Sequence, residues 1–383
     1  MRLLADYFHS LRQPFLARAY ELALQGLRTT HPNPMVGCVI VKNGHIVGEG
    51  WHSHPGGPHA EILALESAGE DARDATVFVT LEPCDHTGKT GPCTEALINA
   101  GVKKVVIGQR DPNPVAAGGA ATLASAGIEV EFADDDDFFS ELTRGFVTRL
   151  ETGKPYVRVK VALSLDGSLG LTNEHSTAVT GPSGSTFTKH LRSYADAVVV
   201  SGATATSDNP QLTLRTITRE LAPSQPARVI LVRNTVPPPD IRVFTQEEGE
   251  AVLLLPSTKM DDDFSAYNAR LVFYPAEEGL SGALTALGDE GFNSILIEPG
   301  RKLFTALING RHIDELVTVT AGGFLGERSL KVYDGLSMLH STGAPQPVLE
   351  HRLIPFDTQI YGDVVATMWR PAYPEIFEGE RQQ

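Results

Sequence analysis

The sequence predicts an α/β protein of two domains, on three observations. Its 383 residues are about two and a half times the ~150 expected of one domain. Apolar strand-like runs alternate with helix-period segments in both halves, the pattern of an α/β layer architecture. Gly153-Lys154-Pro155 interrupts the chain between two such series that share no motif. The expected division is therefore 1–150, 154–372 and a C-terminal tail of 373–383.

In the first half, Phe15, Ala19, Leu22, Ala23 and Gly26 recur at the helical period and give one small, apolar face. VGCVIVK (36–42) and HIVGEGWH (45–52) flank Asn43-Gly44, which accepts positive φ and so predicts a hairpin. A helix through AEILALESAG, a strand over 75–83, a helix over 94–101 and a strand over 102–108 follow. The acidic run Asp134–Asp137 reads as the solvated start of a helix. In the second half, strands are expected over 156–163, 197–203, 227–233, 251–256, 270–275, 294–300 and 315–321. Helices fit around 183–194 and 301–309, and Pro237–Pro239 and Asp261–Asp263 read as surface loops.

Composition narrows the function. Apolar residues make up 42%, enough for a sizeable core and too many for a disordered chain. The net charge of −15 would repel phosphate backbones and anionic lipids, so nucleic-acid and membrane-surface binding are not expected. Three cysteines make no disulfide framework. With no ~20-residue apolar run and no apolar core in MRLLADYFHS, a cytoplasmic protein is expected.

One constellation carries chemistry. A catalytic zinc takes three protein ligands and keeps a fourth position open. His59, Cys84 and Cys93 supply one imidazole and two thiolates. Cys93 opens a helix, where the dipole favours a thiolate, and Cys84 is expected at a similar end. Glu61, two residues after the histidine, can face the metal without ligating it and carry a proton to a leaving nitrogen. The order His-x-Glu…Pro-Cys is the signature of zinc nucleobase deaminases, although eight residues (DHTGKTGP) replace the usual two between the cysteines. The bland alternatives are unrelated buried thiols, or a structural site completed by His86 or His52. Cys38, inside an apolar run, reads as a core residue.

HPNPMVGCVIV, GPHAE, TLEPCDHTGKTGPC and QRDPNP together resemble the deaminase half of the bifunctional riboflavin-biosynthesis deaminase/reductases. The resemblance spans about 12–150 and implies a cytidine-deaminase-like α/β/α sandwich. It implies a diaminopyrimidinone substrate carrying a ribosylamino phosphate, which loses one ring amino group as ammonia. Asn33, His52 and His86 are implied substrate contacts, with Lys89 and Asn113 toward the phosphate.

The second half has no Gly-x-Gly-x-x-Gly after its first strand. VKVALSLDG, SGATATSDNPQLTLR and ILIEPG instead resemble the reductase half of the same family. This implies a dihydrofolate-reductase-like α/β domain using NADPH, with hydride delivered to the ribosyl carbon, and pairing into a homodimer. By this resemblance Arg192 and Arg215 bind the phosphate, Ser176 and Leu212 contact substrate, and Lys160, Asp208 and Glu298 surround the reacting carbon. Ala162, Thr204, Asp208 and Gly300 fall on the cofactor side. Ala178, Asn209 and Pro299 depart from the family pattern; Arg301 and Lys302 can offset the donor lost at Pro299. The rival reading keeps the deaminase and makes the second half a non-catalytic binding or dimerisation module.

Overall fold

Asn43 and Gly44 take φ of 52° and 79°, the left-handed pair a two-residue hairpin turn requires. They join β1 (Gly37–Lys42) to β2 (His45–Trp51) as the sequence predicts. The computed structural model describes residues 14–86, 91–133, 136–171, 178–215, 224–246, 249–326, 329–332 and 352–372. The chain forms two units. One holds the residues up to Tyr156 together with Gly291–Asn293, and the other holds Val157–Glu290 and the chain from Ser294 onward.

In the first unit β3 (Thr76–Val79), β4 (Lys104–Ile107) and β5 (Glu129–Phe132) complete a sheet of order β2-β1-β3-β4-β5. β1 runs antiparallel to both neighbours, and β3, β4 and β5 are mutually parallel. The period of two along β1 sorts its side chains. Cys38 and Ile40 pack on α2 (Ala60–Ala68), α3 (Cys93–Ala100) and α4 (Gly119–Ser125) through Ala60, Ala64, Leu97 and Leu123. Val39 and Val41 face the opposite layer and meet Ala19 and Leu22 of α1 (Pro14–Ala23). α5 (Asp136–Thr152) shares that layer through Phe138, Phe139 and Leu142. The result is an α/β/α sandwich. Residues 134 and 135 of the acidic run lie outside the described residues; the helix is present from Asp136.

Among the described residues the second unit is built on a sheet of nine strands, in spatial order 270–274, 251–256, 227–231, 197–201, 294–297, 156–164, 315–321, 364–372 and 352–361. In chain order these are β6 (Tyr156–Ser164), β8 (Ala197–Ser201), β9 (Ala227–Leu231), β10 (Ala251–Pro256), β11 (Arg270–Tyr274), β12 (Ser294–Ile297), β13 (Glu315–Ala321), β15 (Arg352–Tyr361) and β16 (Val364–Ala372). β8, β9 and β10 read as continuous apolar runs because these parallel strands are covered on both faces, whereas β11, at the sheet edge, buries only alternate residues. β15 and β16 end the sheet as an antiparallel hairpin, and β7 (Ser168–Gly170) pairs separately with β14 (Leu330–Lys331). The helices are α6 (Gly181–Arg192), α7 (Gly202–Asp208), α8 (Arg242–Thr245), α9 (Gly279–Asp289) and α10 (Arg301–Asn309). The expected proline loop is only partly at the surface. Pro237 is buried, and its carbonyl accepts the Tyr267 hydroxyl at 2.8 Å.

Candidate active sites

Gly50 sets the first site. A Cβ there would stand 2.4 Å from the Ala60 carbonyl oxygen, so only glycine lets α2 lie directly on β2. His59 caps α2 in extended conformation, and Cys93 is the first residue of α3. Cys84 is not at a helix N-terminus, contrary to expectation. It sits in the irregular segment after β3 and instead receives the Cys93 backbone N–H at 3.5 Å. His59 Nδ1 lies 3.2 Å from Cys93 Sγ and 3.4 Å from Cys84 Sγ, and one donor atom from each of the three residues falls within a 4.8 Å spread. Tetrahedral zinc with bonds of ~2.0–2.3 Å would separate such donors by roughly 3.6 Å, so these residues fit the ion in number, chemistry and spacing.

No fourth ligand joins this group among the described residues. His52, one candidate for that place, has both ring nitrogens engaged elsewhere. The hydrogen bond with Cys93 holds the Cys84 thiol well below its ordinary range, while the same bond and burial push Cys93 up. The bond to Cys84 raises His59. Glu61, in the first turn of α2 and 3% exposed, is pushed up to about 7 by burial, against the opposing pull of His59.

These groups open on a cavity of about 460 Å³, which Asn33, His86, Asp111 and Asn113 also line. His52 Nδ1 lies 3.1 Å from the Pro58 carbonyl, and its Nε2 3.1 Å from Asn33 Nδ2. Burial lowers the pKa of this ring. The Asn33 loop is held by Asn293, whose Nδ2 donates to the carbonyls of Pro32 and Asn33, and by Arg149, which donates to Pro32 O and to Asn293 Oδ1. Asn113 Oδ1 accepts the Val115 N–H, which leaves its amide NH2 as a donor. Lys89 lies outside the described residues.

Three carboxylates that the sequence reading passed over support this wall. Glu82, 5% exposed, accepts the backbone N–H groups of Asp111, Gly118 and Ala120. Asp85 accepts the hydroxyls of Thr94 and Thr122, which tie the residue after Cys84 to α3 and α4. Asp111 lines the cavity itself, and burial raises its pKa against the hydrogen bond from Asn113 N–H. The available signal was position: each lies within the quoted TLEPCD or QRDPNP runs.

In the second unit, Arg192 of α6 donates Nε and Nη2 to the two oxygens of Glu298 at 2.6 and 3.0 Å, a bidentate pair. Burial pushes the Glu298 carboxyl up, but Arg192 and Lys160 together hold it below its ordinary value. Lys160, on β6, is lowered by burial and by Arg192, against Glu298. Lys160, Arg192 and Glu298 are thus gathered together, whereas Asp208 is exposed at the end of α7 and accepts the Ser207 hydroxyl. Leu212 takes φ of 57° and is 1% exposed in a core cluster, so only its backbone is left to contact a substrate. Arg215 donates to Gln211 at 3.3 Å, and Ser176 lies outside the described residues.

Gly300 caps α10, and a Cβ there would stand 3.3 Å from Thr204 Oγ1 of α7. α7 and α10 follow the adjacent parallel strands β8 and β12, so their starts lie together at the carboxyl ends of the sheet. Arg301 and Lys302 open the first turn of α10 and bring two cationic side chains to this place, the kind of group that attracts a phosphate. Ala162 lies on β6, half-buried.

A three-layer sandwich with a His/Cys/Cys centre, followed by a mainly parallel sheet with a buried Lys–Glu–Arg group, defines a zinc deaminase joined to a reductase. The model of the cytidine and deoxycytidylate deaminase zinc-binding region matches residues 9–109, and that of the RibD C-terminal domain matches 155–346. Riboflavin biosynthesis protein RibD of Escherichia coli (strain K12) is 40% identical over 348 residues, covering 87% of this chain and 93% of the relative. The corresponding protein of Haemophilus influenzae is 38% identical over 326 residues, covering 82% and 87%. Acinetobacter baumannii RibD, form 1, superposes with a TM-score of 0.79 at 35% identity, covering 93% of this chain and 98% of that one. A diaminohydroxyphosphoribosylaminopyrimidine deaminase/5-amino-6-(5-phosphoribosylamino)uracil reductase from Thermotoga maritima gives 0.78 at 34% identity, covering 93% and 97%.

The chain belongs to the RibD family of bifunctional riboflavin-biosynthesis enzymes. It is a hydrolytic deaminase and a reductase, with zinc and NADPH as cofactors, and nothing favours a non-catalytic second half. Among the described residues no helix is long and apolar enough to cross a membrane.

Proposed function

We propose that the first unit hydrolyses one ring amino group of a diaminopyrimidinone bearing a ribosylamino phosphate, and that the second reduces the ribosyl group of the product to ribityl. The observation that carries this is the convergence of His59, Cys84, Cys93 and buried Glu61 on one cavity lined by amide and imidazole groups. Zinc, held by His59, Cys84 and Cys93, supplies Lewis acidity and an activated water. Glu61 would take a proton from the attacking water and pass it to the departing nitrogen, the water's other proton ending on the ring nitrogen, so that N=C–NH2 and water become HN–C=O and NH3. Asn33 and His86 contact the base, and Asn113 and Lys89 the phosphate end. His52, expected as a further contact, has both ring nitrogens engaged by Asn33 and Pro58 and stands behind Asn33.

In the reductase domain NADPH supplies the hydride. Lys160 and Glu298 flank the reacting carbon, with Asp208 the third candidate, and one of them gives the proton that accompanies ring opening. Arg192 and Arg215 serve the phosphate, with Ser176 and the Leu212 backbone toward the rest of the substrate. Ala162, Thr204, Gly300, Arg301 and Lys302 hold the cofactor. The domains extend over 1–150 and 154–372, in a cytoplasmic enzyme that binds neither nucleic acid nor membrane.

A homodimer through the second domain is supported by the hairpin β15–β16, whose Ile354, Phe356, Ile360 and Val365 are exposed; Ile360 is 81% so. Ile360→Asp is expected to yield monomers by sedimentation velocity. Mass spectrometry of products tests the two steps together. Without NADPH, loss of ammonia alone is expected; with it, a further gain of two hydrogens. Unchanged substrate in both arms would overturn the reading.

A further inference from the structure

Three polar groups form a chain from backbone to cavity wall: the Pro58 carbonyl, the His52 ring and the Asn33 amide. Their polarity is fixed from one end. A carbonyl oxygen only accepts, so the ring nitrogen 3.1 Å from it, Nδ1, carries the proton. His52 is 4% exposed, and a neutral imidazole has a single N–H, so Nε2 is an acceptor. Asn33 therefore presents its NH2 group to the ring across 3.1 Å, because the reversed amide would set two lone pairs against each other. The other arm, Oδ1, has no partner among the described residues. The backbone of Asn33 is fixed independently, its N–H on the Thr30 carbonyl and its own carbonyl on Asn293.

We propose that His52 is a positioning residue that locks the Asn33 amide with Oδ1 toward the cavity, so that the site selects a ring edge presenting an N–H or NH2 donor and rejects one presenting an acceptor. The inference rests on the deaminase reading of this cavity and gives His52 no contact with the reacting atoms. Selectivity arises because a neutral amide oxygen facing another acceptor leaves both without a hydrogen, a mismatch a buried site discriminates strongly. A diaminopyrimidinone has such donors on its edge. An analogue carrying only acceptors there would lose this contact.

Two measurements on the zinc-loaded, full-length enzyme test it. Long-range 1H–15N spectra should show one neutral histidine protonated at Nδ1 whose signals vanish in His52→Gln. An Nε2–H or doubly protonated His52 at neutral pH overturns the proposal, whatever the variants do. In ammonia-release assays, His52→Leu should keep one equivalent of zinc, raise KM about tenfold and leave kcat within about threefold. His52→Gln can donate to Pro58 and accept from Asn33 through its own amide, and should bring KM back to within about threefold of wild type. Unchanged KM in His52→Leu, or a kcat loss of several orders that Gln does not rescue, overturns it. Failure of the deaminase reading appears differently, as a wild-type enzyme that releases no ammonia while the ring spectra are unaffected.

Discussion

Glu61 answers to two opposed demands. Its proton-carrying role needs a carboxyl that can both take and give a proton near neutrality, and in the zinc-free protein burial raises Glu61 to about 7. Glu61→Gln should therefore lower deaminase kcat by about 10²–10⁴-fold with zinc content unchanged, as turnover and atomic absorption will show. The same burial has a cost in the zinc-free protein. A carboxyl raised on folding carries no penalty below about pH 4.5, where folded and unfolded chains both hold the proton. The penalty grows as pH rises toward 7 and is constant above it, at about 3 kcal/mol. Urea unfolding of chelated protein should accordingly find Glu61→Gln more stable than wild type at pH 8 and close to it at pH 4.5. At this scale the sequence named the three donors that the structure brings together, since His59 and Cys93 stand at helix starts; Cys84 joins them from an irregular segment. Glu82 and Asp85 were hidden, since their partners lie up to 38 residues away and Glu82's three are backbone N–H groups.

The elements that carry the ligands are held by close backbone approach more than by side-chain volume. Gly50→Ala would drive a methyl group into the Ala60 carbonyl and the Ala64 nitrogen, 2.4 and 2.6 Å away, and neither atom can give way without moving α2. We expect a loss of about 1–3 kcal/mol in stability and weaker zinc retention against a chelator, because His59 and Glu61 ride on that helix. Most strands were legible from apolar runs bounded by turns, and α10 was expected over the range it occupies. β15 was not. Its sequence RLIPFDTQIY breaks alternation at Pro355, where the pairing with β16 slips by a bulge, and proline at a sheet edge removes no ladder bond that matters. Cys84 misled for a local reason: a proline before a cysteine ends a strand as readily as it opens a helix, and only the fold chooses.

For the molecule as a whole, two chemistries on separate units predict separable losses. Glu61→Gln should still convert deaminated substrate to the ribityl product with NADPH. Lys160→Met should stop that conversion while ammonia release continues and cofactor fluorescence still reports binding, since Lys160 sits with Glu298 and Arg192 rather than at the start of α10. The polypeptide nevertheless does not partition cleanly in its linear order. Gly291–Asn293, encoded well within the reductase stretch, belongs to the deaminase unit, where Asn293 satisfies the carbonyls of Pro32 and Asn33. A gene cut after codon 155 would thus express a front fragment missing a strut of its own catalytic loop. Supplying the remaining fragment in trans, rather than lengthening the first, is the remedy this interleaving dictates.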